Sequence, residues 1–307
     1  MEGSGTLRGE QDRMRFFVDL PQGDRKPWRE CIAGCERLGP TQPGVPDRFG
    51  PDDVVVGWSM FRGSRRWAVY RAVKAAGGRA IILENGWLSP LAGARYFQVA
   101  LDGWNGTGHF PDESPDRWAS WNVPLQPWRQ DGRHVLVLGQ KAQSIGDARR
   151  MPPGWAQSLR LETRRPVLRR MPGAARPLEQ DLRGAWCTVT WTSTAAIKGL
   201  VAGIPAFHCG PNTLCPELSK PGLDVEAPIY PDRQPVFERL AWCQWTAEEI
   251  ATGEPFARLL ELPHDRVPQA VPDPFTLPAA ATPRGLLREQ LDHARRRWRR
   301  RLARWRS

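Results

Sequence analysis

Short apolar segments alternate with amphipathic segments along residues 53–250, and turn residues separate them. The clearest case spans residues 186–207. There a β-branched stretch ends near Val189, three hydroxyl residues follow, residues 195–202 favour helix, and Gly203 precedes a second apolar segment. Hydroxyl side chains are preferred at helix N-caps, and glycine is preferred just after a helix. The pattern therefore predicts strand, helix and strand, the repeating unit of a parallel α/β sheet.

The N-terminal half shows the same order of elements. Valine-rich residues 53–57 predict a strand, residues 65–76 predict a helix that ends at two glycines, and residues 80–83 predict the next strand. A further strand is predicted at residues 96–101. Residues 103–127 are rich in glycine, proline, aspartate and tryptophan, so we expect a long loop there.

The C-terminal half continues with short elements. Residues 134–138 and 167–169 predict strands, residues 177–182 predict a short helix, and residues 235–245 predict a longer helix. Residues 246–249 match a capping box and predict the start of one more helix.

Length and pattern together predict two α/β units, because 307 residues with 40% apolar content exceed one domain of ordinary size. We expect an N-terminal domain over residues 1–130, a C-terminal domain over residues 131–262, and a proline-rich linker with a terminal helix over residues 263–307. A ligand site is expected in the cleft between the two domains.

Charge is concentrated near the end of the sequence. Ten arginines stand against two carboxylates in residues 284–307, within a formal net charge of +11 for the chain. Apolar residues recur there every three or four positions, which predicts a basic amphipathic helix. Such a helix suits an anionic membrane surface, a nucleic-acid backbone, or docking on its own protein with a basic outer face.

Composition also argues against several classes of protein. No stretch approaches the roughly 18 apolar residues of a membrane span, and the acidic N-terminus lacks the apolar core of a secretory signal. The six cysteines include no Cys-x-x-Cys pair, which favours reduced, mostly buried thiols over disulfides or a zinc site. We therefore expect a cytoplasmic protein.

Four short motifs resemble those of one family. Residues 84–88 (ENGWL) look like the E-D-G-F-L segment of the bacterial capsule-polysaccharide Kdo transferases, and residues 97–110 follow as their next strand and turn do. Residues 134–140 resemble the strand and glutamine that open the second domain of that family. Residues 167–172 fall where the family has K-P-H-P, and residues 190–205 resemble its N-S-T to G-K-P segment.

The resemblance covers about residues 53–250 and implies a GT-B glycosyltransferase, possibly of a bacteriophage type. That fold has two Rossmann-like domains facing a cleft, with the donor held mainly by the C-terminal one. Two positions differ from the family, because Met171 stands where the motif has histidine and Lys198 stands where the helix usually carries glutamate. The resemblance therefore implies the scaffold and the general reaction but not the sugar.

The chemistry of such a transfer selects the candidate donor site. Negative charge builds on the leaving phosphate, so the site needs hydroxyls, cations and the free N–H groups of a helix N-terminus. No Asp-x-Asp sequence stands in a predicted loop, so we expect metal-independent catalysis, with the nucleotide sugar as co-substrate and no further cofactor. The predicted donor-binding residues are Gln140, Arg169, Arg170, Thr192, Ser193, Thr194 and Lys198.

A carboxylate is needed to accept the proton of the acceptor hydroxyl. Glu84 is the first candidate, because it follows an apolar strand whose carboxyl end opens into the cleft. Asp102, after the strand at 96–101, is the second. For both residues a purely local role in the turn that follows the strand is the alternative.

The acceptor is predicted from charge and aromatic content. Fifteen tryptophans suit flat partners such as sugar rings and bases, and an arginine-rich turn follows the strand at 53–57. Double-stranded DNA with hydroxymethylated bases is the first candidate acceptor, and a cell-surface or lipid-linked glycan is the second. A non-catalytic nucleic-acid-binding protein is a third hypothesis. The predicted acceptor-binding residues are Arg62, Arg65, Arg66, Trp87 and Trp104.

Overall fold

The structure is a computed structural model. It describes residues 14–23, 26–59, 65–90, 93–111, 114–140, 151–152, 154–210 and 213–262. Arg62 and the predicted basic helix at 284–307 lie outside these ranges, so both remain predictions from sequence.

The chain folds into eleven strands and nine α-helices over the described ranges, with 3₁₀ turns at Asn105–Thr107 and Pro216–Leu218. None of these helices is long and apolar enough to cross a bilayer. The strands are β1 (Arg15–Asp19), β2 (Thr41–Pro43), β3 (Asp53–Trp58), β4 (Arg79–Asn85), β5 (Tyr96–Leu101), β6 (His134–Leu138), β7 (Val167–Arg170), β8 (Ala185–Thr190), β9 (Ala206–His208), β10 (Ser219–Pro221) and β11 (Gln244–Thr246). The helices are α1 (Trp28–Glu36), α2 (Arg65–Ala75), α3 (Asp116–Trp121), α4 (Trp155–Ser158), α5 (Leu178–Leu182), α6 (Ala195–Val201), α7 (Gln234–Ala241), α8 (Ala247–Ala251) and α9 (Glu254–Glu261).

The first sheet has the order β11-β5-β4-β3-β1-β2. Its strands β2, β1, β3 and β4 are parallel, whereas β5 runs antiparallel to β4 and β11 antiparallel to β5. All six residues of β3 and of β5 are buried. Both faces of these strands are buried, as expected for a sheet that is covered on each side by helices and loops.

The second sheet has the order β10-β9-β8-β6-β7, and all its strands are parallel. Its central strands β6 and β8 are fully buried. One hydrophobic cluster continues from this sheet to the first, since it includes Leu138 and Ile197 as well as Trp87 and Trp118. Both sheets thus have the largely parallel, helix-covered arrangement of Rossmann-like α/β folds.

The two units with the clearest sequence pattern are confirmed. β8, α6 and β9 form the strand, helix and strand predicted at residues 186–207, and β8 and β9 are parallel. β3, α2 and β4 form the βαβ unit of the N-terminal half. The capping box is present as well, because Thr246 Oγ1 accepts from the Glu249 N–H and Glu249 accepts from the Thr246 N–H.

The predicted loop at 103–127 is wrong in one part. Residues 116–121 form α3, whose Trp118 and Trp121 are buried against each other with ring centres 5.9 Å apart. The predicted helix at 235–245 is shorter than expected, because α7 ends at Ala241 and the chain then enters β11. Both differences arise from contacts with distant parts of the chain, which override the intrinsic helix and strand propensities of the local sequence.

The end of the described chain returns to the first sheet. β11 pairs with β5, and α8 and α9 pack against α1. The approach is close at Gly34 of α1, where a Cβ atom would lie 2.1 Å from the Ile250 carbonyl oxygen. The structure therefore places residues 244–262, which the sequence analysis assigned to the C-terminal domain, on the N-terminal sheet.

Arg117 of α3 holds this returning segment. Its guanidinium forms a two-pronged ion pair with Glu249 at 2.8 and 3.0 Å. It also donates to the carbonyl oxygens of Ala241 and Gln244 at 2.8 and 2.9 Å. The guanidinium carbon lies 3.9 Å from the centre of the Trp245 ring, and the Arg117 side chain is only 10% exposed.

We expect Arg117→Met to lower the free energy of unfolding by about 3 kcal/mol, because it leaves the Glu249 carboxylate without its cation and removes the guanidinium donors from two carbonyl oxygens. Urea denaturation followed by circular dichroism measures the change. Arg239→Met is the matched control, since Arg239 and Glu217 form a half-exposed surface pair and its loss should cost less than about 1 kcal/mol. Equal losses in the two variants would contradict the role of Arg117.

Candidate functional site

Each sheet contains a point at which the strand order reverses. The chain places β2 on one side of β1 and then β3 on the other. It likewise places β7 on one side of β6 and then β8 on the other. In parallel sheets, ligands bind outside the carboxyl ends of the strands at such switch points, because the loops diverge there and leave a crevice.

At the switch point of the second sheet, Gln140 and Thr192 are joined directly. Gln140 follows β6 and Thr192 follows β8. The Thr192 N–H donates to Gln140 Oε1 at 2.8 Å, and Gln140 Nε2 donates to Thr192 Oγ1 at 3.1 Å. The two predicted donor-binding loops therefore meet at one edge, as the sequence analysis requires.

A small crevice, lined by apolar as well as hydroxyl side chains, lies beside this pair at the start of α6. The Ser193 N–H donates to Thr190 Oγ1 at 2.8 Å, and Ser193 Oγ accepts from the Ala195 N–H at 3.3 Å. Thr194 is the N-cap residue, although its own hydroxyl does not cap the helix. The hydroxyl residues that line the crevice are Thr190, Ser193, Thr194, Thr213 and Ser219.

One histidine supports this crevice from the next strand. His208, at the end of β9, lies with Nδ1 2.7 Å from Ser219 Oγ. Burial lowers the pKa of His208, so its ring is neutral at neutral pH. It therefore orients the Ser219 hydroxyl rather than supplying a charge.

The predicted phosphate-binding cations have partners inside the protein. Arg169 donates to the carbonyl oxygens of Ala156 and Leu159, both at 2.9 Å, and so fixes α4 beside β7. Arg170 forms an ion pair with Asp181. These contacts correct the prediction for both arginines, which stabilise the edge of the second sheet.

Lys198 and Met171 are the two positions at which the sequence differs from the family it resembles. Lys198 forms a surface ion pair with Glu179 at 3.1 Å. Met171 packs against Gly139, where a Cβ atom would lie 2.5 Å from the Met171 sulfur. Because Gly139 precedes Gln140, Met171 shapes the backbone that presents the Gln140 side chain.

At the first sheet, Glu84 lies at the carboxyl end of β4 as predicted. It is partly exposed, and Glu84 Oε2 accepts from the Asn85 N–H at 3.2 Å. The loop that follows is held by Gln244, whose Oε1 accepts from the Trp87 and Leu88 N–H groups at 3.1 and 3.2 Å. A half-exposed carboxylate at the end of a rigid parallel strand has the position that a general base requires.

Lys26 is a residue at this edge that the sequence analysis missed. Its ammonium nitrogen lies 2.9 Å from the centre of the Trp58 ring, at the end of β3. Burial lowers the pKa of Lys26 to about 8, the Glu84 carboxylate raises it, and Arg95 and Arg66 lower it. A signal was present in the sequence, since Lys26 follows shortly after the apolar residues 16–18.

Arg65 and Arg66, two of the arginines predicted to contact an acceptor, lie beside the Asp19 carboxylate at the end of β1. Arg65 donates to both carboxylate oxygens of Asp19, at 2.9 and 2.8 Å. Arg66 lies 4.0 Å from the same carboxylate. Asp19 therefore neutralises part of the positive charge that the sequence analysis assigned to acceptor binding.

Asp102 is on the opposite edge of the sheet, which corrects its prediction as a catalytic residue. β5 runs antiparallel to β4, so its end lies beside the beginning of β4. Asp102 accepts from the Ala80 N–H at 2.9 Å and from the Lys74 ammonium at 2.6 Å. Glu84 is four residues further along β4, about 13 Å away at the usual rise per residue.

Trp87 and Trp104 are also corrected as acceptor contacts. Their exposed fractions are 4% and 5%, and they belong to two different hydrophobic clusters. Trp87 packs on Phe237 with ring centres 6.0 Å apart. Indole rings this deeply buried stabilise the fold and do not reach a ligand.

The described residues include no group of three or more metal-ligating side chains. All six cysteines are free thiols in this part of the chain, and burial raises the pKa of each. Thiols that stay protonated are poor nucleophiles, so they belong to the core.

Two solved structures of KpsC from Thermosulfurimonas dismutans are similar to this chain. The one described as a beta Kdo 2,7 transferase has 13% identity and a TM-score of 0.46, over 78% of this chain and 98% of that chain. The one described as a beta Kdo 2,4 transferase has 14% identity and a TM-score of 0.44, over 75% and 90%. No protein-family model and no curated protein sequence matches the chain.

A third match is the ligand-free aspartate transcarbamoylase of Trypanosoma cruzi, with 10% identity and a TM-score of 0.24 over 78% of this chain and 83% of that chain. All three scores are too low to establish a shared fold. The function is therefore inferred from the residues and the geometry of this chain.

Loss of the Asp102 carboxylate should reduce stability more than loss of the Glu84 carboxylate. We expect Asp102→Asn to lower the free energy of unfolding by about 2 kcal/mol, because it removes a buried charge-assisted contact with Lys74. Glu84→Gln should change it by less than about 1 kcal/mol, since Glu84 is partly exposed. Denaturant titration of both variants measures this difference, and a larger loss for Glu84→Gln would contradict the assignment.

Proposed function

We propose that this protein is a glycosyltransferase that moves a sugar from a nucleotide-sugar donor to a hydroxyl group of a glycan acceptor. One observation carries the proposal. Three of the motif segments that resemble the Kdo transferases place a polar side chain at the carboxyl end of a parallel strand: Glu84 near the end of β4, Gln140 after β6 and Thr192 after β8. Ligand-binding groups in α/β sheets gather at these ends.

The second sheet is the proposed donor side. The Gln140–Thr192 pair fixes two loops at the switch point, and the partly exposed residues Ser193 and Thr194 beside it carry hydroxyls that suit a ribose or a phosphate. Hydrogen-bond donors that are already in place stabilise the charge of a leaving phosphate without reorganising during the reaction. We propose that these groups, rather than a divalent ion, meet that charge.

The first sheet is the proposed acceptor side, with Glu84 as the general base. The acceptor oxygen forms a bond to the anomeric carbon of the sugar while the bond from that carbon to the phosphate oxygen breaks. The electron pair of the broken bond leaves with the nucleotide, and the hydroxyl proton passes to Glu84. The strand end holds Glu84 without burying it.

A glycan is favoured over duplex DNA as the acceptor. Arg65 and Arg66 share the Asp19 carboxylate, which removes part of the positive surface that a DNA phosphate backbone requires. Trp87 and Trp104 are buried, so they offer a ring neither to a base nor to a sugar. Hydroxymethylated DNA and a non-catalytic nucleic-acid-binding role are therefore kept as outcomes of the test.

The test incubates the protein with UDP-, GDP- and CMP-sugars and three acceptor pools: oligosaccharides, lipid-linked glycans and hydroxymethylcytosine DNA. Mass spectrometry then identifies the acceptor that gains a sugar mass. We expect a gain in a glycan pool. A sugar mass gained by the DNA would establish the transfer reaction and would identify DNA, in place of a glycan, as the acceptor. Binding of DNA without consumption of any donor would contradict the proposal.

Two substitutions separate the roles of the two sheets. Glu84→Gln should lower turnover by about 10²-fold to 10⁴-fold with donor affinity retained, because it removes the base alone. Gln140→Leu should weaken donor binding by about tenfold, because it removes hydrogen bonds that fix the donor-side loops. Isothermal titration calorimetry and initial rates measure the two effects. Gln234→Leu is the matched control, since Gln234 is exposed and its amide donates to Glu238 on the surface of α7 at 2.8 Å.

A further inference from the structure

His208 is the last residue of β9, at the carboxyl end of the second sheet. It pairs with Thr190 in the register of β9 and the neighbouring strand β8, and paired residues project from the same face of a sheet. Thr190 Oγ1 accepts from the Ser193 N–H at 2.8 Å, in the turn that begins α6. The imidazole of His208 therefore lies one strand away from the proposed phosphate-binding turn, on the same face of the sheet as Thr190.

The hydrogen bonds of Ser219 determine which nitrogen of the His208 ring carries a proton. Ser219 is buried, and its Oγ atom lies 3.2 Å from the Cys215 carbonyl oxygen and 2.7 Å from His208 Nδ1. A carbonyl oxygen only accepts, so the hydroxyl donates its single hydrogen to Cys215 and accepts from the N–H group at Nδ1. If the hydroxyl donated to Nδ1 instead, lone pairs of two oxygen atoms would face each other at 3.2 Å.

The other ring nitrogen, Nε2, is left as a hydrogen-bond acceptor. Burial lowers the pKa of His208, so the imidazole is neutral at neutral pH and carries one proton. With that proton on Nδ1, Nε2 presents a lone pair. Within the part of the chain that the structure describes, Nε2 has no hydrogen-bond partner and is not one of the buried polar atoms that lack one. His208 is partly exposed, and its Nε2 is open to a ligand.

An acceptor at this place selects the part of a nucleotide sugar that it can bind. The ionised phosphate oxygens are themselves acceptors, so they suit the N–H groups and hydroxyls at the start of α6 and not Nε2. The ribose, the base and the transferred sugar all carry O–H or N–H groups. Neighbouring strands lie about 4.8 Å apart, so such a group, next to a phosphate bound at Ser193, is within reach of His208 on β9.

We propose that His208 is a binding residue of the donor site, whose Nε2 accepts a hydrogen bond from a hydroxyl or N–H group of the nucleotide sugar. The proposal rests on the proposed function, in which the second sheet holds the donor. Ser219 is the positioning residue, because its hydroxyl fixes both the tautomer and the orientation of the ring. A site that accepts from such a group discriminates against an analogue that lacks it, since the buried side of the ring cannot turn to find another partner.

The first measurement needs no ligand. The chain contains five histidines, so NMR of protein labelled with [¹⁵N]histidine resolves their ring nitrogens, and His208→Gln identifies the signals of His208. We expect the proton of neutral His208 on Nδ1. His134 is the internal reference for the opposite tautomer, since its Nε2 lies 2.9 Å from the Asp181 carbonyl oxygen and must donate to it. Ser219→Ala should move His208 toward the tautomer with the proton on Nε2 and leave His134 unchanged.

The second measurement is the affinity for UDP, GDP, CMP and their sugar conjugates by isothermal titration calorimetry. His208→Phe should weaken binding by about tenfold, the effect of one lost hydrogen bond. His208→Gln should restore most of the affinity, because its amide oxygen accepts at about the position of Nε2. His109→Phe is the matched control, since His109 is exposed and pairs with Leu101 at the first sheet. Thermal melting shows that each variant is folded.

Deoxy analogues of the nucleotide that binds identify the group that donates to Nε2. A loss on His208→Phe that is absent with the 2′-deoxy or the 3′-deoxy nucleotide assigns the contact to that ribose hydroxyl. An equal loss with the nucleotide and both analogues assigns it to an N–H group of the base. A loss that occurs only with the sugar conjugate assigns it to a hydroxyl of the transferred sugar.

The two proposals fail in different ways. A neutral His208 with its proton on Nε2 would overturn the role of His208, and so would equal affinities of the wild-type and His208→Phe proteins for every probe that binds. Failure of His208→Gln to restore affinity lost in a folded His208→Phe protein would show that the ring acts by packing alone and would overturn the role as well. A wild-type protein that binds none of the nucleotides or their sugar conjugates would contradict the proposed transferase itself.

Discussion

The loop that follows Glu84 is fixed by one buried amide, that of Gln244. Its exposed fraction is 0%, and each polar group of its amide is used: Oε1 accepts from the N–H groups of Trp87 and Leu88, and Nε2 donates to the Leu88 carbonyl oxygen at 2.7 Å. Arg117 binds the carbonyl oxygen of the same residue. A buried amide with three hydrogen bonds specifies one arrangement, because moving it leaves polar groups without partners.

This constraint joins the two ends of the described fold. Gln244 lies in β11, which pairs with β5 of the first sheet after the chain has completed the second sheet. The strand that carries Glu84 therefore depends on a segment about 160 residues later, as the hydrogen bond from Trp87 to Gln244 shows. Sequence reasoning included residues 244–262 in the C-terminal domain, because the capping box at 246–249 reveals a helix start but not what that helix packs against.

The predictions that succeeded used local signals, and those that failed needed the topology. Residues 186–207 contain their own strand, turn and helix signals, so β8 and α6 and the meeting of Gln140 with Thr192 followed from the rule for parallel strands. The prediction that Asp102 is catalytic failed because nothing in residues 96–102 shows that β5 is antiparallel. The antiparallel direction places the end of β5 at the edge of the sheet opposite to Glu84. Lys26 was missed because its contact with the Trp58 ring joins two segments that are distant in the sequence.

The abundance of arginine and tryptophan has a structural explanation in the described part of the chain. Guanidinium groups lie over indole rings at several places, with distances to the ring centre of 3.9 Å for Arg117 and Trp245 and 4.1 Å for Arg233 and Trp128. Arg233 is itself buried and donates to the carbonyl oxygens of Leu200 and Gln126. Arginine is suited to this position, since its planar group stacks on a ring and satisfies carbonyl oxygens at its edge.

Within the described residues, basic composition is therefore a weak guide to the ligand. Arginines that stack on indoles and bind carbonyl oxygens contribute to the net charge without presenting donors to a phosphate backbone. The same packing explains why tryptophans predicted to contact an acceptor are buried. The chemistry of the site depends instead on a few groups at the strand ends, where Glu84 and the Gln140–Thr192 pair occupy positions that the topology of the two sheets defines.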